Sequence, residues 1–294
     1  MLPARLTPPS FDPGTVWLVG AGPGDPGLLT LHALHALTQA DVILHDALVA
    51  PEILDLAPQA RLEQVGKRAG GQRTPQLRIS QRLVSLARQG LRVVRLKGGD
   101  PLVFGRGAEE ALALAAAAIP FRIVPGISAG IGGTASAGIP LTHRLLGRSV
   151  AFATGHDATG HLAAIDWAAF SRGADVLVLY MASRQLPAIA CALIEAGRAP
   201  DDEIALIANA TTHRQTIRTL TLQRAANTPD PNRVGDPVLI VIGPVVALRR
   251  LIADWQQIAP MTVQPMTIEP KTLATAHPAL AHPLAPAQTV SVAG

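Results

Sequence analysis

Short runs of β-branched and aliphatic residues alternate along this chain with stretches whose apolar positions recur every three to four residues. The runs at 16–19, 42–44, 92–96 and 121–124 are nearly continuous in apolar character, which predicts strands of a parallel sheet buried on both faces. The helical period predicts helices between them at 28–37, 76–88 and 108–118. Prolines and glycines clustered over 120–133 then interrupt the rhythm. A second series follows, with strands expected at 149–154, 175–180, 203–207, 216–220 and 238–242 and helices at 185–196 and 245–255. The expected architecture is therefore α/β, in two α/β domains spanning 16–130 and 131–255, after a flexible stretch at 1–15. From 256 to 294 the chain carries six prolines without hydrophobic periodicity, and this tail reads as disordered. No tandem repeat at a period of 20–50 residues is visible.

Composition narrows the classes. A hydrophobic share of 48% in 294 residues supports a sizeable core, while aromatic residues at 3% leave few platforms for stacking single-stranded nucleic acid. Lys and Arg exceed Asp and Glu by 25 to 21 with no dense basic run, so nucleic acid is not the expected partner. The single cysteine, Cys191, excludes an internal disulfide framework and a zinc site built on several thiolates. It sits in the apolar run 186–194 and is expected to be an inert core thiol. No segment approaches the ~18 apolar residues that cross a bilayer. The first 14 residues lack a hydrophobic signal region, so the cytoplasm is the expected compartment.

Candidate chemistry lies at predicted strand ends. Gly20-Ala21-Gly22-Pro23-Gly24-Asp25-Pro26 follows a strand and precedes a helix, where glycines allow a tight turn and close approach of a ligand to the main chain. It departs from the dinucleotide fingerprint, because Asp25 replaces the third glycine and would repel a pyrophosphate at the helix start. Arg95-Leu96-Lys97-Gly98-Gly99-Asp100-Pro101 repeats the arrangement at another strand end, where ligands of open parallel sheets bind. Asp100 has the lone pairs to hold ribose hydroxyls, the alternative being that it caps the next helix. Pro125-Gly126-Ile127-Ser128-Ala129-Gly130 is a third small-residue turn, and Gly138-Ile139-Pro140-Leu141-Thr142-His143-Arg144 brings polar groups to the presumed junction between domains. The pairs His32/His35 and His156/His161 lack companion ligands, so no metal is expected.

Taken in order, these segments, with Val65-Gly66-Lys67-Arg68-Ala69-Gly70, Phe104-Gly105-Arg106-Gly107, Thr154-Gly155-His156, Tyr180-Met181 and Val245-Val246-Ala247-Leu248-Arg249, resemble the uroporphyrinogen-III C-methyltransferases of the tetrapyrrole methylase superfamily. The resemblance runs from about Val16 to Arg250. It implies the tetrapyrrole methylase fold, two α/β domains with S-adenosylmethionine in the cleft between them, and a homodimer. By position it implies cofactor contacts at Pro23, Gly98, Gly99, Asp100, Val103, Ser128, Ala129, Met181 and Ala210. The family's proton acceptor falls on Asp46 and its donor on Lys67, with Arg106 as a further catalytic candidate. The implied reaction is methylation of uroporphyrinogen III at C-2 and C-7, giving precorrin-2 through precorrin-1 and two S-adenosylhomocysteines. The product would feed sirohaem or cobalamin.

An eight-carboxylate substrate calls for cations, and Arg68, Arg106 and Arg144 in the matched motifs suit bidentate pairing. Glu109, three residues from Arg106 at a predicted helix start, is placed to orient it. Three departures from the family pattern stand out. His45 and Ala47 flank Asp46 where tyrosine and arginine are usual, Ala182 replaces a glycine, and Gly132-Gly133-Thr134-Ala135-Ser136 is atypical. The alternatives are a methyltransferase for a later precorrin, a nicotinamide oxidoreductase using the Gly20–Gly24 turn, or a tetrapyrrole-binding protein without turnover. No dehydrogenase–chelatase segment is recognised, so later steps are expected to need other proteins.

Overall fold

The computed structural model describes residues 6–65, 75–157, 161–228, 236–252 and 260–262. The first sheet contains β1 (Val16–Gly20), β2 (Val42–His45), β3 (Arg61–Gln64), β4 (Val93–Lys97) and β5 (Phe121–Val124), in the order β3-β2-β4-β1-β5. All its pairings are parallel, as the apolar runs predict, and β1, β2 and β4 are buried throughout. Helices α1 (Leu31–Gln39), α2 (Pro51–Leu54), α3 (Gln76–Arg88) and α4 (Gly107–Ala116) connect them. Two apolar clusters form, one with Ala33, Ala36, Leu37 and Ile53 and the other with Ile79, Leu83, Leu86 and Leu114. The buried positions 79, 83, 86 and 87 of α3 fall on one helical stripe.

The second sheet contains β6 (Val150–Thr154), β7 (Val176–Tyr180), β8 (Glu203–Ala208), β9 (Thr216–Thr221) and β10 (Val238–Ile242), in the order β6-β7-β10-β8-β9. Only β6 and β7 pair in parallel; β10 runs antiparallel to β7 and β8, and β9 antiparallel to β8. Strands β6, β7 and β8 therefore end at the same edge. With this sheet go α5 (Ala129–Ser136), α6 (Trp167–Gly173), α7 (Leu186–Glu195), α8 (Leu222–Ala226) and α9 (Arg249–Ile252). Helix α5 straddles the expected boundary at 130/131. Gly133 lies against Ala210 and Leu239, so α5 packs on the second sheet.

Several expectations need correction. Cys191 is exposed rather than buried. In α7 the inward positions are Leu186, Ile189, Ala190 and Leu193, and the helical period turns residue 191 outward; apolar residues on all sides of this helix conceal that in the sequence. The helix expected at 245–255 is a 3₁₀ turn, Pro244–Leu248, followed by the short α9, and residues 253–255 lie outside the described set. Strand β3 is absent from the expected elements because it is a polar edge strand with no apolar run. Of the proline-punctuated tail, residues 260–262 are described, and the Met261 N–H donates to Asp25 Oδ1 at 3.0 Å.

Candidate active site at the strand ends

The turns after β1, β4 and β5 cross so closely that their glycines are obligatory. A Cβ on Gly20 would lie 2.5 Å from Gly126 Cα, and one on Gly126 would overlap the carbonyl of Gly99. Gly22 and Gly99 exchange backbone hydrogen bonds of 3.2 and 2.7 Å. Asp100 ties two turns together, accepting from Leu102 N–H at 2.8 Å and from Gly126 N–H at 3.1 Å. Asp100 therefore braces turns instead of capping the next helix, whose N-cap is Arg106, and both carboxylate oxygens retain lone pairs for a ligand. Asp25 caps the short 3₁₀ helix Pro26–Leu28 by accepting from Gly27 N–H at 2.7 Å.

The loop after β8 meets these turns from the second sheet. Asp25 N–H donates to Thr211 Oγ1 at 3.0 Å, and Gly24 sits beside the Ala210 carbonyl and Thr212. Gly132 and Gly133 of α5, atypical for the family, have a structural reason here. A Cβ at 132 would lie 2.8 Å from Pro23 Cγ, and one at 133 would lie 2.9 Å from Ala210 Cβ. Gly99 faces Ser128 and Ala129, and Ser128 Oγ lies 2.6 Å from Tyr180 Oη. Of the residues expected at the cofactor, Pro23, Gly99, Asp100, Ser128, Ala129 and Ala210 take part in these contacts, and Gly98, Val103 and Met181 lie on the loops that follow β4 and β7. Among the described residues six non-glycine residues adopt positive φ, and five lie on the loops after β4, β7 and β8: Phe104, Arg106, Met181, Asn209 and Thr211. Such backbone, costly at about 1–3 kcal/mol each, persists where surrounding structure over-determines it.

Asp46 follows β2, and its carboxylate belongs to a buried charge cluster that the sequence did not expose. Arg95 and Lys97 on β4 are each 2% exposed, and Glu110 on α4 is fully buried. Arg95 Nη2 bonds Asp46 Oδ1 at 2.5 Å while its Nε bonds Glu110 Oε1 at 3.0 Å. Lys97 Nζ lies 3.1 Å from both Glu110 oxygens and 4.0 Å from Asp46 Oδ2. Gln76 donates to Glu110 Oε1 at 2.9 Å. Burial lowers the Lys97 pKa, with Arg95 adding to the effect and the two carboxylates opposing it. Two cations balanced by two anions is what permits charge at this depth. In the sequence the cluster is signalled by a pair of cations inside an apolar strand. Asp46 keeps 30% of its side-chain surface, so it alone of the four reaches the opening. Buried His45 directs Nδ1 to the Asp46 carbonyl at 3.2 Å.

The remaining expected residues divide. Arg106 is exposed at 57% and bonds Glu109 at 2.9 Å, so that pair forms as anticipated. Arg144 is exposed in a tight turn where His143 and Gly147 exchange backbone hydrogen bonds. Lys67 and Arg68 lie outside the described residues. Among the described residues no group of three His, Cys, Asp or Glu side chains gathers to hold a metal, and no helix is long and apolar enough to cross a membrane. A cavity of about 590 Å³ lies between α3 and α4 and is lined by Leu77, Val84, Arg88 and Ala113. It adjoins no strand end and contains none of the expected residues.

The tetrapyrrole (corrin/porphyrin) methylases match residues 15–226. A uroporphyrinogen-III C-methyltransferase from Sinorhizobium sp is 54% identical over 84% of this chain and 89% of its own length. A siroheme synthase from Pseudomonas fluorescens is 50% identical over 82% of this chain but only 52% of its own length, so the chain spans about half of that relative. The crystal structure of a uroporphyrin-III C-methyltransferase from Thermus thermophilus, complexed with S-adenosylhomocysteine, superposes with a TM-score of 0.70 at 38% identity. It covers 80% of this chain and 99% of that one.

Proposed function

This chain belongs to the tetrapyrrole (corrin/porphyrin) methylases, and we propose that it transfers methyl groups from S-adenosylmethionine to C-2 and C-7 of uroporphyrinogen III, giving precorrin-2. The observation that supports this best is the convergence of four glycine-rich or strained turns, after β1, β4, β5 and β8, on one cleft beside a carboxylate. The donor, when bound, supplies a sulfonium methyl group already activated for transfer to an electron-rich carbon, so no metal is called for.

The chain's own residues then have three tasks. The first is to hold the donor, for which the Gly98–Gly99 backbone leaves room and Asp100 offers lone pairs. Pro23, Val103, Ser128, Ala129, Met181 and Ala210 form the rest of that wall. The second is to exclude water, and Val103, Phe104, Phe152 and Met181 present apolar surface at the cleft. The third is to receive a proton from the methylated macrocycle, for which Asp46 is oriented by Arg95 and exposed at one end. Lys67 is assigned the complementary donor role. Arg106, Arg144 and Arg68 are assigned to the substrate carboxylates, Arg106 oriented by Glu109.

The relation to siroheme synthases favours sirohaem as a destination, with cobalamin sharing the same intermediate. A homodimer in the cytoplasm completes the reading. Incubation with uroporphyrinogen III and labelled S-adenosylmethionine tests it, with a dimethylated product by mass and a precorrin-2 spectrum expected. Absence of that product, with turnover of a later precorrin instead, would overturn the substrate assignment.

A further inference from the structure

Tyr180 ends β7 with its backbone fixed on both sides, by Leu239 of β10 and Thr154 of β6. Its hydroxyl leaves the sheet and enters the start of α5. Gly130 N–H donates to Tyr180 Oη at 2.7 Å, and Ser128 Oγ shares a hydrogen bond with the same oxygen at 2.6 Å. Ser128 is the N-cap residue of α5, yet its own side chain makes no capping bond to the helix. The phenol has taken over that duty from another strand, satisfying a helix-start donor that would otherwise need a local cap. Gly130 fits the arrangement, since a Cβ there would overlap the phenol oxygen. Burial raises the Tyr180 pKa, against the opposing pull of Ser128 and Gly130, so the group stays a neutral phenol able to donate and accept at once.

The same ring is a meeting point of three walls. Phe104, in left-handed backbone on the loop that carries Val103, packs on it with centroids 4.8 Å apart, and Phe152 of β6 approaches at 6.2 Å. The next residue, Met181, also has positive φ and is 46% exposed. One side chain thus connects the segments bearing Val103, Ser128, Ala129 and Met181.

We infer that Tyr180 is a positioning residue for the methyl donor, its hydroxyl fixing the Ser128–Gly130 helix start against the Met181 turn. The inference rests on reading Ser128, Ala129 and Met181 as donor contacts. Tyr180→Phe keeps the ring and its packing, removes only the hydroxyl, and frees Ser128 to cap its own helix. Calorimetry with S-adenosylhomocysteine is expected to show affinity weakened roughly five- to tenfold. The KM for uroporphyrinogen III should stay within about twofold, and the melting temperature within about 2 °C. Unchanged S-adenosylhomocysteine affinity would overturn the inference. So would parallel losses for both substrates with a large fall in melting temperature, the mark of a merely structural residue.

Tyr180 is the only tyrosine in the chain, which gives a second reading that does not depend on the variant folding. Incorporated 3-fluorotyrosine places a single ¹⁹F label at this site in the otherwise native protein. Its resonance should move on titration with S-adenosylhomocysteine, along the calorimetric isotherm. A resonance that saturating S-adenosylhomocysteine leaves in place contradicts the assignment. Because both experiments use the donor product alone, a native protein that binds it but never methylates uroporphyrinogen III would cost the substrate assignment and leave Tyr180's role standing. Native protein that binds no S-adenosylhomocysteine would overturn both.

Discussion

The two sheets meet the cleft with opposite chemistry. At the edge of the parallel sheet stand Asp46, Arg95, Lys97 and Asp100, with Glu110 behind them. At the edge of the mixed sheet stand Tyr180, Met181, Phe152 and Ala210, none of them charged at neutral pH. Parallel order brings every strand of the first sheet to the same edge, so polar groups at successive strand ends are pooled there. In the second sheet β10 and β9 run the other way, and only β6, β7 and β8 deliver their ends to the cleft. On the proposed function, proton handling and all the carboxylate contacts but Arg144 then belong to the first sheet. The second supplies a largely apolar wall for a sulfonium whose positive charge is lost as its methyl group is transferred.

The largest effect should come from the one member of the charge cluster that reaches solvent. Asp46→Asn is expected to lower the methyl-transfer rate by about 10²–10⁴-fold, the usual range for losing a general base, with S-adenosylhomocysteine affinity kept. Initial rates beside calorimetry decide it, and a rate within a few fold of native moves the base elsewhere. Glu110→Ala addresses the same cluster through stability. It leaves Arg95 and Lys97 buried with Asp46 as the remaining anion, at a cost of about 3–5 kcal/mol in urea unfolding. A loss below about 1 kcal/mol would mean that water reaches the pair and that the cluster is less closed than its burial indicates.

The contrast between sheets also governs what is readable in the sequence. Strands β1, β2, β4 and β5 announce themselves as apolar runs, and the glycine turns after β1, β4 and β5 mark the cleft. Helix α5 does not, because three of its eight residues are glycine, and glycine opposes helix by about 1 kcal/mol each. Its glycines reflect tertiary neighbours, Tyr180, Pro23 and Ala210, that no local pattern contains. Arg95 and Lys97 are visible as cations in an apolar strand, but their partners Asp46 and Glu110 come from other elements. Tyr180 stands out only as part of a matched string, since nothing local indicates that its hydroxyl caps another helix.

A next pair of variants asks whether the two walls can be separated. Arg106→Ala should raise the KM for uroporphyrinogen III about tenfold, as expected for removing one charge-assisted hydrogen bond at a partly exposed site, and leave S-adenosylhomocysteine affinity within about twofold. Met181→Ala should do the reverse. Steady-state kinetics with each substrate varied in turn tests both. If either variant weakens both substrates equally, the cleft works as one unit and the division between sheets fails.

The smallest effect isolates burial from charge within the first sheet. Glu63 on β3 pairs with Arg82 at 2.7 Å and Arg61 at 2.9 Å, but both arginines are over 40% exposed. The hydrogen bond from Arg82 is the main cause holding the Glu63 pKa below its ordinary 4.5, partly opposed by burial. A carboxyl whose pKa is lower in the folded chain stabilises it above pH 4.5, and that contribution is lost as pH falls through the folded value. Glu63→Gln should therefore cost under about 1 kcal/mol at pH 7, because solvent screens the pair. The gap from native should narrow below pH 4.5 and vanish once Glu63 is protonated in the folded state. Thermal melts across that range, with Glu110→Ala alongside, compare the same kind of charge at two depths. Equal losses for the two variants at pH 7 would show that burial is not what gives the cluster beneath Asp46 its weight.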